Sequence, residues 1–453
     1  MSNGYSDVDV IVAPATPFRT KAPLAIIRVS GEKSLELLAR CFQPRHGELK
    51  GSWRVHYGDW IDGEGMVDDV VVSTFRAPRS YTGQDMFEVS CHGNPVFVEA
   101  ILQSILKEGG RRARPGEFTM RAVLNGKMDL LQAEGVNALI DCNTRYQAGL
   151  IRRQAKGPLV DFVHRQVEEI LQIQAHIEAT IDYGEEDIDA LERDSLGGRL
   201  AQLISRFQKL HQTAAFANSM RRGFKVLLTG EPNVGKSTLF NALVRQERAI
   251  VTELPGTTRD LISEEIEMQG LPVILIDSAG VRQTDDVIEN IGIEKIYQTL
   301  EQVDLVLFLS AAGDAMEPYP RLRELPEEKW LHVQTKADLQ PSDGENDLEK
   351  EGRICVSAAT GMGLQRLESE IVLRLSTDFE DQSVYLINQR QEEIISTVIQ
   401  QLQNAYDDFD MGFGEEVLSS YLNTARQQLG ELTGETTVED ILDRMFSNFC
   451  LGK

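Results

Sequence analysis

The chain has 453 residues, is 42% hydrophobic and 26% charged, and carries a formal net charge of -25. That balance excludes a disordered or collagen-like chain, and the length predicts about three domains at roughly 150 residues each. No run of 18 apolar residues suits a membrane span, Met1 to Asp9 has no signal-peptide pattern, and five scattered cysteines without a Cys-x-x-Cys pair point to reduced thiols in a cytoplasmic setting.

Residues 1–125 are predicted as mixed β and α. Strand-like runs stand at Ala25 to Val29, Asp69 to Ser73 and Met86 to Ser90, and an amphipathic helix at Val96 to Lys107 ends at Gly109-Gly110. From 126 to 220 the pattern is helical. Leu159, Val163, Val167, Ile170, Ile173, Ile177 and Ile181 recur at three- or four-residue spacing, Gly184 to Asp189 break the run, and a second helix covers about 195–217. Residues 384–406 and 414–450 are again helical by period. A helical domain in two parts, 126–220 and 377–453, interrupted by an inserted domain at 221–376, accounts for this order.

The insert carries the chemistry. Phe224 to Gly230 reads as a buried strand, Gly230-Glu-Pro-Asn-Val-Gly-Lys-Ser237 as a P-loop, and Thr238 to Val244 as the helix behind it. Backbone N–H groups and the helix N-terminus suit phosphates, Lys236 can reach the β- and γ-phosphates, and Ser237 can ligate Mg²⁺. The strand Leu271 to Ile276 leads into Asp277-Ser278-Ala279-Gly280. Asp277 can hold Mg²⁺ through water, and Gly280 lets its N–H meet the γ-phosphate. Strands at Asp304 to Leu309, Leu331 to Gln334 and Ile354 to Val356 complete an expected doubly wound parallel sheet. After the second of these comes Thr335-Lys336-Ala337-Asp338, whose carboxylate can accept from guanine N1–H and N2–H₂, a donor pair adenine lacks. Ser357-Ala358-Ala359 forms the base-side loop.

This set, with Thr258, resembles the small GTPase superfamily, so the nucleotide implied is GTP. Two positions depart from its pattern. Thr335 stands where the family usually has Asn, and Val281 stands where Ras-type members have a water-orienting Gln. Gly256-Thr-Thr-Arg-Asp260 and Asn233 resemble the potassium-activated branch. The resemblance implies K⁺ contacts from Asn233, Thr252, Leu254 and Thr257, with Thr258 joining Ser237 on Mg²⁺. Val234, Gly235, Thr238 and Thr257 complete the implied nucleotide contacts.

Over nearly its full length the chain is similar to the MnmE (TrmE) family of tRNA-modifying GTPases. The matching residues are Ala15-Thr16-Pro17, Ile27 to Gly31, Ser80 to Gly93, Arg114 to Leu130, Gln132-Ala-Glu134, Ile288 to Glu294 and the ending Phe449-Cys450-Leu451-Gly452-Lys453. Asn94 departs from a second Gly after His92-Gly93, and its tolerance of positive φ is expected to keep the turn.

The resemblance implies an α+β N-terminal domain over 1–125 that binds 5-formyl- or 5,10-methylene-tetrahydrofolate through Arg28, Glu88, Lys127 and Lys453 and holds a homodimer. It implies Glu289 as the catalytic residue, Cys450 as a candidate reactive thiol, and an FAD-dependent partner of the MnmG (GidA) family in a heterotetramer. Together they would modify C5 of the wobble uridine of certain tRNAs. The rival reading is a regulatory or ribosome-assembly GTPase whose N-terminal domain is only a scaffold. His92 and the four other cysteines read as structural.

The acidity is uneven. Net charge is 0 over 1–125, -4 over 126–220, -10 over 221–376 and -11 over 377–453, while the window 107–156 has 10 basic residues against 5 acidic. That window, including Arg111, Arg112 and Arg114, is the expected tRNA surface, with the partner protein as the alternative.

Overall fold

The computed structural model describes residues 9–49, 51–183, 190–246, 248–249, 262–277, 300, 302–311, 318–339, 349–350, 353–376, 385–411, 415–435, 445–446, 449 and 452. They fall in two compact units, Met1–Ala138 with Arg426–Lys453, and Leu139–Ala425.

The first unit contains β1 (Ile11–Pro14), β2 (Leu24–Ser30), α1 (Ser34–Cys41), β3 (Phe42–Pro44), β4 (Arg54–Asp62), β5 (Gly65–Phe75), β6 (Met86–His92), α2 (Pro95–Lys107), β7 (Arg111–Arg112), α3 (Glu117–Leu124) and the start of α4 (Leu130–Asp141). The sheet order is β3-β4-β5-β6-β2-β1-β7, antiparallel except for β1 with β7. Inward residues Ile27, Val29, Trp60, Val72, Phe87 and Val89 pack against Leu37 and Leu38 of α1 and Ile101 and Leu102 of α2. On the other face Tyr57 pairs across the strands with Val71, and with Val55 they leave apolar surface exposed.

Asn94 departs from expectation. Its φ is -97°, and its side chain accepts from the Val96 N–H at 3.0 Å. It is therefore the N-cap of α2 rather than a left-handed turn residue, because the carboxamide satisfies an orphan N–H of a helix that opens with Pro95.

The basic window also reads differently. Arg121 is 3% exposed and Glu117 is 1% exposed. Arg121 donates to Asp9 at 2.6 Å, to Glu117 at 3.1 Å and to Gln84 at 3.0 Å. Arg111 bridges the same two carboxylates, and Arg112 pairs with Glu99 at 2.9 Å. Burial alone would raise the Glu117 carboxyl, but hydrogen bonds from Arg111 and the Arg114 N–H, with the two guanidinium charges, hold it below the usual carboxylate range. Arg121 is thus a structural cation, Arg111 a partly exposed one held by two carboxylates, and Arg112 an exposed one paired with Glu99 at the surface.

The second unit contains α5 (Arg145–Gln154), α6 (Pro158–Tyr183), α7 (Ala190–Arg222), β8 (Phe224–Gly230), α8 (Lys236–Gln246), β9 (Arg248–Ala249), β10 (Ile262–Met268), β11 (Leu271–Asp277), β12 (Leu305–Ala311), β13 (Trp330–Thr335), β14 (Glu349–Lys350), β15 (Arg353–Cys355), α9 (Leu364–Ser376), α10 (Gln389–Asp410) and most of α11 (Glu415–Thr433). The sheet order is β14-β15-β13-β12-β8-β11-β10-β9. The strands expected from sequence, β8, β11, β12, β13 and β15, are parallel; β9, β10 and β14 add antiparallel edges. The departure has a local cause. Gln269 (φ 48°) and Gly270 (φ 94°) make a tight two-residue turn between β10 and β11, and two successive positive φ values match the twist of an antiparallel hairpin.

Helix α10 lies along α7, burying Ile395, Val398 and Leu402. At the junction of α7 with the sheet, Asp304 accepts from Ser219 Oγ at 3.0 Å, from Arg222 at 2.7 Å and from the Lys225 N–H at 2.8 Å. Within the helical pattern expected over 414–450, α11 ends before Gly434 (φ 90°), where a Cβ would meet Leu130 Cβ at 2.9 Å; residues 436–444 lie outside the described residues, and 445–446 are helical. Glycine in the left-handed region ends a helix at low steric cost.

Glu117→Ala is expected to cost the first unit about 3 kcal/mol, because it removes the buried carboxylate between Arg111 and Arg121 and leaves both guanidinium groups to Asp9 alone. Urea unfolding followed at Trp53 and Trp60 measures it. Because folding depresses the Glu117 pKa, its contribution is present above about pH 4.5 and is lost as pH falls through the folded value. The variant should therefore show a shallower loss of stability below that pH. An unchanged midpoint at neutral pH would remove the network from the stability argument.

Candidate functional site

Two side-chain constellations stand out, one in each unit. In the second unit the sheet delivers Gly230, Asp277 and Thr335 to the same end, because β8 pairs in parallel with β11 and β12, and β12 with β13. Crossover connections make that end the place where open α/β sheets bind ligands. Gly230 (φ 146°) admits no Cβ: one would meet Leu309 O at 2.3 Å. Asn233 (φ 62°) and Gly235 (φ 98°) turn the following backbone through left-handed conformations into the N-terminus of α8. A side chain bearing Cβ there costs energy, and such strain is characteristic of a loop shaped for a ligand.

Four side chains fix this loop. Lys236, 9% exposed, donates from Nζ to Gly230 O at 3.0 Å and Glu231 O at 2.7 Å. Ser237 Oγ donates to the buried Asp277 carboxylate at 2.9 Å. This pair of hard oxygen donors suits Mg²⁺. The Thr335 hydroxyl contacts the carbonyls of Val234 and Ser310, the latter at 3.1 Å. Lys336 (φ 57°) donates to Asn233 O at 2.8 Å. Behind Thr335, His332 meets Ser310 Oγ at 2.9 Å, and burial, with Arg353 nearby, pushes its imidazole down to about 4. It is neutral at physiological pH and belongs to the support of the loop.

The base-side elements are adjacent. Ala337 N–H donates to Val356 O at 3.1 Å, and Ser357 Oγ accepts from the Thr360 N–H at 3.3 Å. The turn Ala337–Leu339 holds Asp338 exposed beside the loop carrying Ala358 and Ala359. An open cleft of about 550 Å³ runs along α8, lined by Ser237, Thr238, Asn241, Arg245, Ala358 and Leu364.

In the first unit Arg28 of β2 stands opposite Glu88 of β6 in the strand register. Arg28 Nε donates to Glu88 Oε1 at 2.9 Å, and Nη1 donates to Gly452 O at 3.2 Å. The guanidinium lies 5.3 Å from the Tyr81 ring centre and 5.8 Å from that of Phe118. Gly452 (φ 95°) is locked against β1, where a Cβ would meet Pro14 O at 2.3 Å. Lys127 donates to Pro78 O at 2.9 Å, and its stem packs where Gly83 (φ 81°) leaves room. Residues from four sequence segments, at 28, 81–88, 118 and 452, thus meet around one half-buried ion pair.

A family model described as the GTP-binding protein TrmE N-terminus matches residues 10–127, and one described as the MnmE helical domain matches 130–450. The tRNA modification GTPase MnmE of Aquifex aeolicus is 37% identical over 98% of this chain and 99% of its own length. That of Thermotoga petrophila is 39% identical over 98% of this chain and all of its own. The chain belongs to the MnmE family. Among solved structures, the G domain of the T. maritima FeoB iron transporter is 30% identical, covering 33% of this chain and 98% of its own, with a TM-score of 0.25.

In this MnmE-family chain the expected loop residues Asn233, Val234, Gly235, Lys236 and Ser237 are together with Asp277, Thr335 and Lys336. Arg28 and Glu88 are together with Gly452. Thr252, Leu254, Thr257, Thr258, Ser278, Ala279, Gly280, Glu289, Cys450 and Lys453 lie outside the described residues. At Thr335, which stands in the family's usual Asn position, the hydroxyl braces the loop through Val234 O. Tyr81 and Phe118 were missed as neighbours of Arg28, since nothing in their spacing signals convergence. His92 has closer company than its sequence suggests. Buried Asp68 accepts from both its N–H at 2.9 Å and its ring Nδ1 at 2.8 Å, with Asp69 nearby. Cys41 and Cys91 are buried, and burial pushes each thiol up to about 11, as packing residues should be.

Thr335→Val keeps the shape of the side chain and removes the brace. GTP affinity is expected to fall about 5- to 20-fold, equivalent to roughly 1–2 kcal/mol, while Thr335→Ser retains it. Titration with a fluorescent GTP analogue measures this, and equal affinity for the Val variant and the parent would contradict the bracing role.

Proposed function

We propose that this chain hydrolyses GTP and couples hydrolysis to the modification of tRNA. The observation that carries the reading is the Lys236, Ser237 and Asp277 constellation at a P-loop, in a chain 37% identical over 98% of its length to a tRNA modification GTPase.

In this reading the N–H groups of Asn233 to Thr238 and the Lys236 ammonium hold the phosphates. Ser237 and Thr258 would hold Mg²⁺, with Asp277 behind Ser237. Asn233, Thr252, Leu254 and Thr257 would hold K⁺. When bound, the two cations supply positive charge where phosphoryl transfer develops negative charge. Asp338 would select guanine, and Glu289 would orient the attacking water through a second water, a task Val281 cannot perform. Lys336 shields one side of the loop, and Ser357 to Ala359 line the base side.

For the first unit we infer a tetrahydrofolate site at Arg28, Glu88, Lys127 and Lys453. Cations suit the folate's glutamate carboxylates, and a carboxylate suits the pterin N–H edge. The joint presence of Arg28 and Glu88 beside Gly452 supports this, and Cys450 precedes Gly452 by two residues in the sequence. The exposed apolar face of Val55, Tyr57 and Val71 supports a homodimer. The rest of the reading is cytoplasmic modification of wobble-uridine C5 with an FAD-dependent MnmG-type partner. Its domain limits are 1–125, 126–220, 221–376 and 377–453.

Mass analysis of wobble nucleosides tests the reading. A strain lacking the chain should lose the modification, and the parent should restore it. Arg28→Ala should fail to restore it while still hydrolysing GTP. Restoration by Arg28→Ala would favour the regulatory GTPase with a scaffold N-terminal domain. For the cation, hydrolysis should run at least about tenfold faster in KCl than in NaCl, within the range one positive charge contributes at such a site. Asn233→Ala should abolish the difference, and equal parent rates in the two salts would refute a K⁺ site.

A further inference from the structure

The ten cations of the 107–156 window divide sharply in the fold. Arg111, Arg112 and Arg121 are bound to carboxylates. Arg145, Arg152, Arg153 and Lys156 are all exposed, and among the described residues none of these four forms an ion pair or a side-chain hydrogen bond. The three arginines share one helix face. They stand at i, i+7 and i+8 on α5, Lys156 follows just past the helix end, and the opposite face buries Gln147, Leu150 and Ile151. At 1.5 Å per residue Arg145 to Arg153 span about 12 Å.

Helix α5 is a firm platform. Thr144 and Gln147 form a capping box, and Gln147 donates to Met220 O at the end of α7. At the other end Gln154 exchanges hydrogen bonds with the Leu386 backbone at 3.1 Å and 2.7 Å. A chain of net charge -25 would keep four unneutralised cations on one anchored face only weakly through the helix dipole, which accounts for Arg152 and Arg153 in the last turn but not for Arg145 in the first.

We infer that the exposed face of α5 binds the phosphate backbone of the tRNA. Arginines suit phosphates through paired N–H donors, and a row of them reads position along a backbone rather than sequence. The inference rests on the reading of tRNA as substrate and adds the surface that receives it. The same hard charges could instead meet an acidic face of a partner protein. The charged face, where Tyr146 is the one exposed large apolar side chain among the described residues of α5, favours a polyanion over a protein surface, whose interface core would be depleted of charge.

The test uses the full-length chain and unmodified tRNA transcript. Arg152→Gln with Arg153→Gln should weaken tRNA binding at least about tenfold at low salt and flatten the log–log salt slope by about 1.5, the loss of two phosphate contacts. Arg152→Glu with Arg153→Glu should weaken it further. Thermal midpoint and tRNA-free GTP hydrolysis should match the parent, and Arg112→Gln should leave tRNA affinity within about twofold, as expected of a cation already paired. Unchanged affinity and slope in the Gln pair, or a parent that binds no tRNA, overturns the inference. So does selective loss of partner-protein binding with tRNA affinity intact. Failure of the parent to restore wobble modification is a separate result and removes tRNA as the substrate.

Discussion

The nucleotide-facing half of this molecule depends on one constraint: three backbone positions, Gly230, Asn233 and Gly235, must hold a curve that ordinary residues avoid. Glycine supplies the conformation at Gly230 and Gly235, but Asn233 carries a Cβ at φ 62°. The surrounding fold over-determines the loop. Thr335 contacts the Val234 carbonyl from β13, Lys336 contacts the Asn233 carbonyl, and Lys236 spans the Gly230 and Glu231 carbonyls. Two non-glycine residues with positive φ, Asn233 and Lys336, are thus tied to one another. Each such conformation costs about 1–3 kcal/mol and persists only where packing enforces it. The neutral His332 and the fully buried Phe308 behind the brace make that packing.

The same economy links the loop to the helices. The hairpin β10–β11 is a ladder of seven register pairs from Ile262 opposite Asp277 to Met268 opposite Leu271. Its open end adjoins both 250–261 and 278–280, where the remaining phosphate and cation ligands are expected. Its turn lies against Tyr146 of α5, only 3.1 Å from where a Cβ on Gly270 would sit. Gln269 also donates to Ser369 of α9 at 3.1 Å. Asp304 fixes the other side of the junction by tying Ser219 and Arg222 to the start of β8. The helix that receives the hairpin turn is also the one that presents the basic face.

Much of this was legible in the order of residues because it is local. A P-loop is a contiguous string with a strand before it and a helix after it, so Gly230 to Ser237 located its own context. Periodicity located α2, α6 and α7 for the same reason. What escaped were consequences of pairing at a distance. The strand β10, next to the short edge strand β9, carries Glu264, Glu265 and Glu267 and reads as polar, yet it is fixed by a two-residue turn. Asn94 was judged by what its backbone tolerates, when its side chain decided the matter by capping α2. Thr335 shows in the sequence only as a departure from the family's Asn, and the buried carbonyl of Val234, 101 residues away, accepts from its hydroxyl.

Charge shows most clearly what counting along a chain omits. Ten cations in fifty residues look like one surface, but a cation's availability depends on the partner the fold supplies. Arg121 has Asp9 on β1's approach and Glu117 one turn earlier on its own helix, and it is buried between them. A guanidinium so enclosed contributes almost nothing to the field outside, since its charge is cancelled within about 3 Å. Arg152 and Arg153 have no such partner among the described residues and remain in solvent, where their field reaches about one Debye length, some 8–10 Å. An acidic protein can therefore present a basic face without contradiction. Beyond that length the surplus carboxylates of 221–376 and 377–453 are screened, and an approaching polyanion responds to the helix in front of it rather than to the sum of -25.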